Sequence, residues 1–117
     1  MTITPSQVYS LIEVKEYDTA RVLYDSLTLA GQYINLSGST VSLWWYDTDT
    51  ETREEKAATI VNAVSGSVSY QLTATDLENP GVKLLEWSIT FPTGKKLRSP
   101  TSGYIKLNVI GDIEDEG

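Results

Sequence analysis

Between Lys83 and Phe91 the apolar side chains Leu85, Trp87, Ile89 and Phe91 fall on every second residue, separated by Leu84, Glu86, Ser88 and Thr90. A period of two is the spacing of a strand that buries one face, and it cannot be satisfied by a helix. The run stops at Pro92-Thr93-Gly94, where proline removes a ladder donor. The same alternation recurs at Thr40–Tyr46, where Val41, Leu43 and Trp45 are assigned inward and Trp44 and Tyr46 outward. It recurs at Ser67–Leu72, with Val68, Tyr70 and Leu72 assigned to the core, and at Tyr104–Ile110, with Ile105, Leu107 and Val109 on one face. Turn residues punctuate these runs: Ser37-Gly38-Ser39, Ser65-Gly66 and Ser99-Pro100-Thr101-Ser102-Gly103. Several short alternating runs divided by turns predict an all-β antiparallel sandwich or barrel.

Upstream, Leu11–Val14 and Arg21–Thr28 read as strands split by Tyr17-Asp18-Thr19, with Ala30-Gly31-Gln32 as the next turn and with inward faces left ambiguous. Thr50–Val64 is the one place where helix competes, because Ala57, Ile60, Val61 and Val64 also fall at helical spacing. The β-branched run Thr59-Ile60-Val61 favours a strand from Ala57 to Asn62, with Asp47–Lys56 as the hairpin loop before it. A chain of 117 residues has the size of one domain, so residues 1–111 are assigned to the sandwich and 112–117 to an acidic tail containing Asp112, Glu114, Asp115 and Glu116.

Charge and composition remove several classes of function. Nine basic against sixteen acidic residues give a net charge of −7, the wrong sign for a protein that neutralises phosphates, so neither nucleic acid nor an anionic membrane is expected as a partner. With no cysteine and no histidine, thiol and imidazole chemistry is unavailable, and no serine or threonine stands beside an activating base. No catalytic site and no cofactor are expected. Asp47, Asp49 and Glu51 resemble the opening of a calcium loop, but Thr52 and Ala58 stand where such a loop needs Gly and a bidentate Glu, so no metal site is assigned. Lys95-Lys96-Leu97-Arg98 reads as protection of a sheet edge. The opening Met1-Thr2-Ile3-Thr4-Pro5 lacks a signal-peptide pattern, so synthesis and folding in a cytoplasm are expected.

What remains is an aromatic surplus on the face opposite the core: Trp44, Tyr46 and Leu84 are the candidate interface residues. Large aromatics concentrate binding energy where proteins meet, and rings flanked by the acidic loop Asp47–Glu55 also suit a sugar, so a carbohydrate-binding module is the alternative reading.

Beyond these readings, the order of motifs resembles a phage structural module, the N-terminal domain of baseplate upper proteins of tailed phages. The resemblance is carried by Gly31 through Leu43, then Gly66-Ser67-Val68-Ser69-Tyr70, Thr75-Asp76, Pro80-Gly81, Glu86 through Lys95, Pro100 and Ser102-Gly103-Tyr104-Ile105. It implies an immunoglobulin-like sandwich of about seven to eight strands. It further implies a building block of a virion, attached to capsid, tail or baseplate subunits or to copies of itself.

Overall fold

The computed structural model describes residues 8–100 and 103–113, so the expectations for Met1–Pro5, for Thr101 and Ser102, and for tail residues Glu114–Gly117 lie outside the described residues. Eleven strands are found among the described residues: β1 (Val8–Lys15), β2 (Val22–Ser26), β3 (Thr28–Leu29), β4 (Gln32–Tyr33), β5 (Thr40–Asp47), β6 (Thr52–Ala57), β7 (Thr59–Asn62), β8 (Ser67–Gln71), β9 (Gly81–Thr90), β10 (Lys96–Ser99) and β11 (Tyr104–Ile110). The large sheet runs β1-β11-β9-β5-β6, with β10 also paired to β9; the small sheet runs β2-β8-β7, and β3-β4 is a separate hairpin. All pairings are antiparallel except β1 with β11, which is parallel. A six-stranded sheet facing a three-stranded one, with the chain crossing between them, makes an immunoglobulin-like sandwich.

The core lies between the sheets and holds the inward residues of each alternating run: Val41, Leu43 and Trp45 on β5, Val68 on β8, Leu85, Trp87 and Ile89 on β9, and Ile105, Leu107 and Val109 on β11. Tyr70, expected in the core, is only half-buried, because its phenol reaches the sandwich margin to meet Asp76. Phe91 likewise packs on the core without being enclosed. Ile34, Leu36 and Leu77 are buried from loops and carry no strand periodicity.

The segment assigned as a hairpin loop, Asp47–Lys56, is corrected. Its loop is only four residues long, and Thr52–Ala57 is strand β6, paired along β5 from Asp47↔Thr52 to Ser42↔Ala57. Arg53, Glu54, Glu55 and Lys56 hide this strand from an apolar pattern, since an edge strand carrying charge needs no apolar alternation and resists pairing with other chains. The strand expected over Ala57–Asn62 is divided. Ala58 donates its N–H to Val41 O at 3.1 Å and carries the chain from the large sheet into β7 of the small one.

Two tight contacts fix the layers. Trp87, 1% exposed on β9, donates its indole N–H to the Asp25 carboxylate on β2 at 3.0 Å and so bridges the two sheets. Gly66 has φ +69°, and a Cβ there would lie 2.6 Å from Leu27 O, so only glycine lets the β3-β4 segment close on the turn before β8. Truncation of Trp87 to Ala removes both packing and the bridge. Urea unfolding should show a loss of about 3–5 kcal/mol; a variant as stable as the parent would place Trp87 outside the load-carrying core.

Candidate functional site

The outer face of the large sheet can be read row by row from the strand register. One row crosses the sheet as Leu11, Lys106, Leu84, Tyr46 and Arg53. The adjacent row brings Glu86, Trp44 and Glu55 together, and Arg98 on β10 stands beside Ser88. Trp44, Tyr46 and Leu84 are thus brought to one surface, as their positions in the alternation require.

That surface is less wet than the alternation suggests. Leu84 is 2% exposed and Tyr46 8%, so the expected open aromatic patch is corrected. Both residues occupy the middle strands of a wide sheet, flanked in their row by Lys106 and Arg53, whose aliphatic stems can shield apolar neighbours. Trp44 is half-buried, with the Arg98 guanidinium over its ring at 5.4 Å. Arg98 in turn reaches Glu86 at 3.5 Å, and Glu55 accepts a hydrogen bond from Ser42 Oγ at 2.6 Å. Between these side chains lies a cleft of about 210 Å³ lined by Trp44, Tyr46, Leu84, Arg53, Arg98 and Tyr104. It has an apolar floor and a charged rim, the anatomy of a protein-contact surface. A stacked sugar would need an open ring face, and here Tyr46 is buried and Trp44 lies beneath Arg98.

A second cluster sits at the margin between the sheets. The Asp76 carboxylate receives Lys56 Nζ at 2.8 Å, the Tyr70 hydroxyl at 2.7 Å and the Thr73 N–H at 2.9 Å. Burial opposes ionisation of Asp76, but these donors outweigh it and hold its pKa below the ordinary carboxylate value. Burial and the neighbouring Asp76 carboxylate together push the Tyr70 phenol up. Lys56 also lies 5.2 Å from the centre of the Trp45 ring. Nearby, Lys83 is 2% exposed and pairs with Asp47 at 2.9 Å.

Asp47, weighed above as a cation ligand, has its carboxylate occupied by Lys83 Nζ and by the Asp49 N–H. Among the described residues no group of three or more His, Cys, Asp or Glu side chains is arranged to hold a metal ion. These clusters organise structure: every carboxylate named in them already has a donor.

The exposed aromatics lie elsewhere. Tyr24, 72% exposed on β2, and Val61, 55% exposed beside β8, occupy the outer face of the small sheet among Thr59, Ser67 and Ser69. This face carries no charge, because Val22, Tyr24 and Ser26 point outward while Leu23 and Asp25 point in. The signal was available in the sequence, where Val22-Tyr24-Ser26 alternates with Leu23-Asp25-Leu27, but a run apolar on both faces does not declare its orientation.

No protein-family model matches the chain, and no curated protein matches its sequence. Among solved structures, the N-terminal domain of phage TP901-1 ORF48 aligns with a TM-score of 0.66 at 14% identity, over 86% of this chain and 85% of that one. The fold is one shared with a phage protein. CopC from Methylosinus trichosporium OB3b aligns with a TM-score of 0.52 at 12% identity, over 87% of this chain and 85% of that one. At such identities the likeness is one of fold.

The Asp76 cluster has a pH signature. A carboxylate held below its unfolded-state pKa stabilises the fold above about pH 4, and that contribution is lost as the pH falls through the lower folded-state value. Asp76→Asn should therefore cost roughly 1.5–3 kcal/mol at neutral pH and progressively less in acid. Asp25, whose pKa burial raises despite bonds from the Ser26 N–H and the Trp87 indole, is common to both proteins and cancels in the difference. Urea unfolding at pH 7 and pH 3 checks the sign, and an equal gap at both would show that ionised Asp76 is not the stabilising group.

Proposed function

We propose that this chain is a non-enzymatic structural module of a tailed-phage virion, an immunoglobulin-like block that joins subunits of the tail or baseplate. The observation that carries the proposal is the fold shared with the N-terminal domain of phage TP901-1 ORF48 over 86% of the chain. It agrees with an independent sign, the order of strand and turn motifs from Gly31 to Ile105, which resembles baseplate upper proteins. Those motifs favour the tail or baseplate over capsid decoration as the site of attachment. The partners are other virion proteins, and the contacts are those of folded surfaces. Absence of His and Cys from the sequence, and the engagement of Asp47 and Asp76 in ion pairs, support a role without catalysis.

The reading is tested on particles. Antibodies raised against this chain should label purified phage at the tail end in negative-stain electron microscopy. Label distributed over the head would move the module to capsid decoration, and absence of the chain from purified particles would end the virion reading altogether.

A further inference from the structure

The outer face of the large sheet is charged unlike the rest of the molecule. Its outward positions carry Lys15, Arg53, Lys96, Arg98 and Lys106 against Glu13, Glu55 and Glu86. Five cations against three anions leave this face at +2 in a chain whose net charge is −7. The cleft over Leu84 lies within this positive surface, its lining carrying two cations, Arg53 and Arg98, against one anion, Glu86. Such a site suits an apolar side chain carried between carboxylates.

The chain contains such a segment. Asp112-Ile113-Glu114-Asp115-Glu116 places one branched aliphatic residue among four acids, and Ile113 is 82% exposed, with none of the sandwich covering it. We propose that the cleft receives the acidic segment Asp112–Glu116 of a second copy of this chain, with Ile113 entering over Leu84 and Tyr46 and the acids meeting Arg53 and Arg98.

Distance decides in favour of a second copy. Ile113 follows the end of β11 by three residues, a reach of at most about 11 Å in extended chain. Tyr104, at the cleft, lies at the other end of β11, about 20 Å from Ile110 at strand spacing. The Asp112 N–H is also tied to Glu16 at 3.2 Å, which holds the segment's start at the far end of the sheet. A chain cannot fill its own cleft in this way.

The receiving side chains are poised for it. Trp44 Nε1 is enclosed and has no acceptor among the described residues. Arg98, which covers the indole, is held to Glu86 only by a 3.5 Å contact and is itself substantially exposed. A carboxylate that draws Arg98 aside gains a charge-assisted partner and uncovers the indole N–H for a backbone carbonyl. The contact joins unlike surfaces, so repeated copies would form a ring if the rotation closes and an open array if it does not. Nothing in it depends on the virion reading, and labelling of particles is a separate measurement.

The test is a complementation experiment in solution with full-length chains. Sedimentation of the parent should show association that rises with protein concentration at about 0.05 M salt and fades at about 0.5 M. Arg98→Glu spoils the cleft and keeps the segment; Ile113→Lys spoils the segment and keeps the cleft. Each alone should sediment as a monomer, whereas their mixture should form a 1:1 pair and nothing larger. Both positions are exposed, and unchanged thermal midpoints would establish that the variants fold. Arg53→Glu, on the opposite rim, replaces Arg98→Glu if the latter unfolds. A parent that stays monomeric at low salt, an Ile113→Lys protein that self-associates like the parent, or a mixture that yields no pair would each overturn the proposal.

Discussion

The ladder between β5 and β9 sets everything else in this molecule. Its register runs unbroken from Thr40↔Thr90 to Asp47↔Lys83, placing Val41 with Ile89, Leu43 with Trp87 and Trp45 with Leu85 on the inner face. A slip by one residue would turn every one of these side chains outward. The end of the ladder guards against that slip. Lys83 is almost wholly buried and tolerable there only because Asp47 stands directly opposite at 2.9 Å; shifted by one, its ammonium would face Tyr46 or Thr48 with no counter-charge. From this ladder follow the positions of β11 and β10 along β9, of β6 along β5, and of the Trp87 indole that reaches across to Asp25.

The strands that could be read in the sequence are those whose core-facing apolar residues recur at every second position, whether or not the opposite face is open to water. β5, β8, β9 and β11 declare themselves because Leu43, Val68, Trp87 and Leu107 recur at a period of two against polar neighbours. The fold class was legible for the same reason. β6 was not, since its residues serve an exposed edge and its charges imitate a loop. Ile34, Leu36 and Leu77 are held by the path of loops, which no periodicity encodes. The candidate site was half legible: alternation assigns Trp44, Tyr46 and Leu84 to the outer face, but it cannot tell whether that face is open to water. Sheet width and neighbouring long side chains decide that, and both are properties of the assembled structure.

The covering of Tyr46 and Leu84 also changes how the outer face should be understood. An open pair of aromatics would have been a liability in the free protein. Instead the apolar floor is flanked by Arg53, Arg98 and Glu86, so the face presents charge as much as aromatic rings. The uncharged outer face of the small sheet, with Tyr24 among hydroxyl side chains, presents the opposite character on the other side of the sandwich. Two such different faces give the block a distinct front and back.

The parallel pairing of β1 with β11 carries a mechanical consequence. Val8 begins β1 beside Tyr104, and Ile110 ends β11 beside Lys15, so tension applied through Val8 and Ile110 pulls the two strands past each other along their length. Their hydrogen bonds are then strained together and must yield as a group. An antiparallel pair pulled from one end would open bond by bond, at far lower force. A block gripped through these two strands would take load along the strands, with the whole ladder resisting at once.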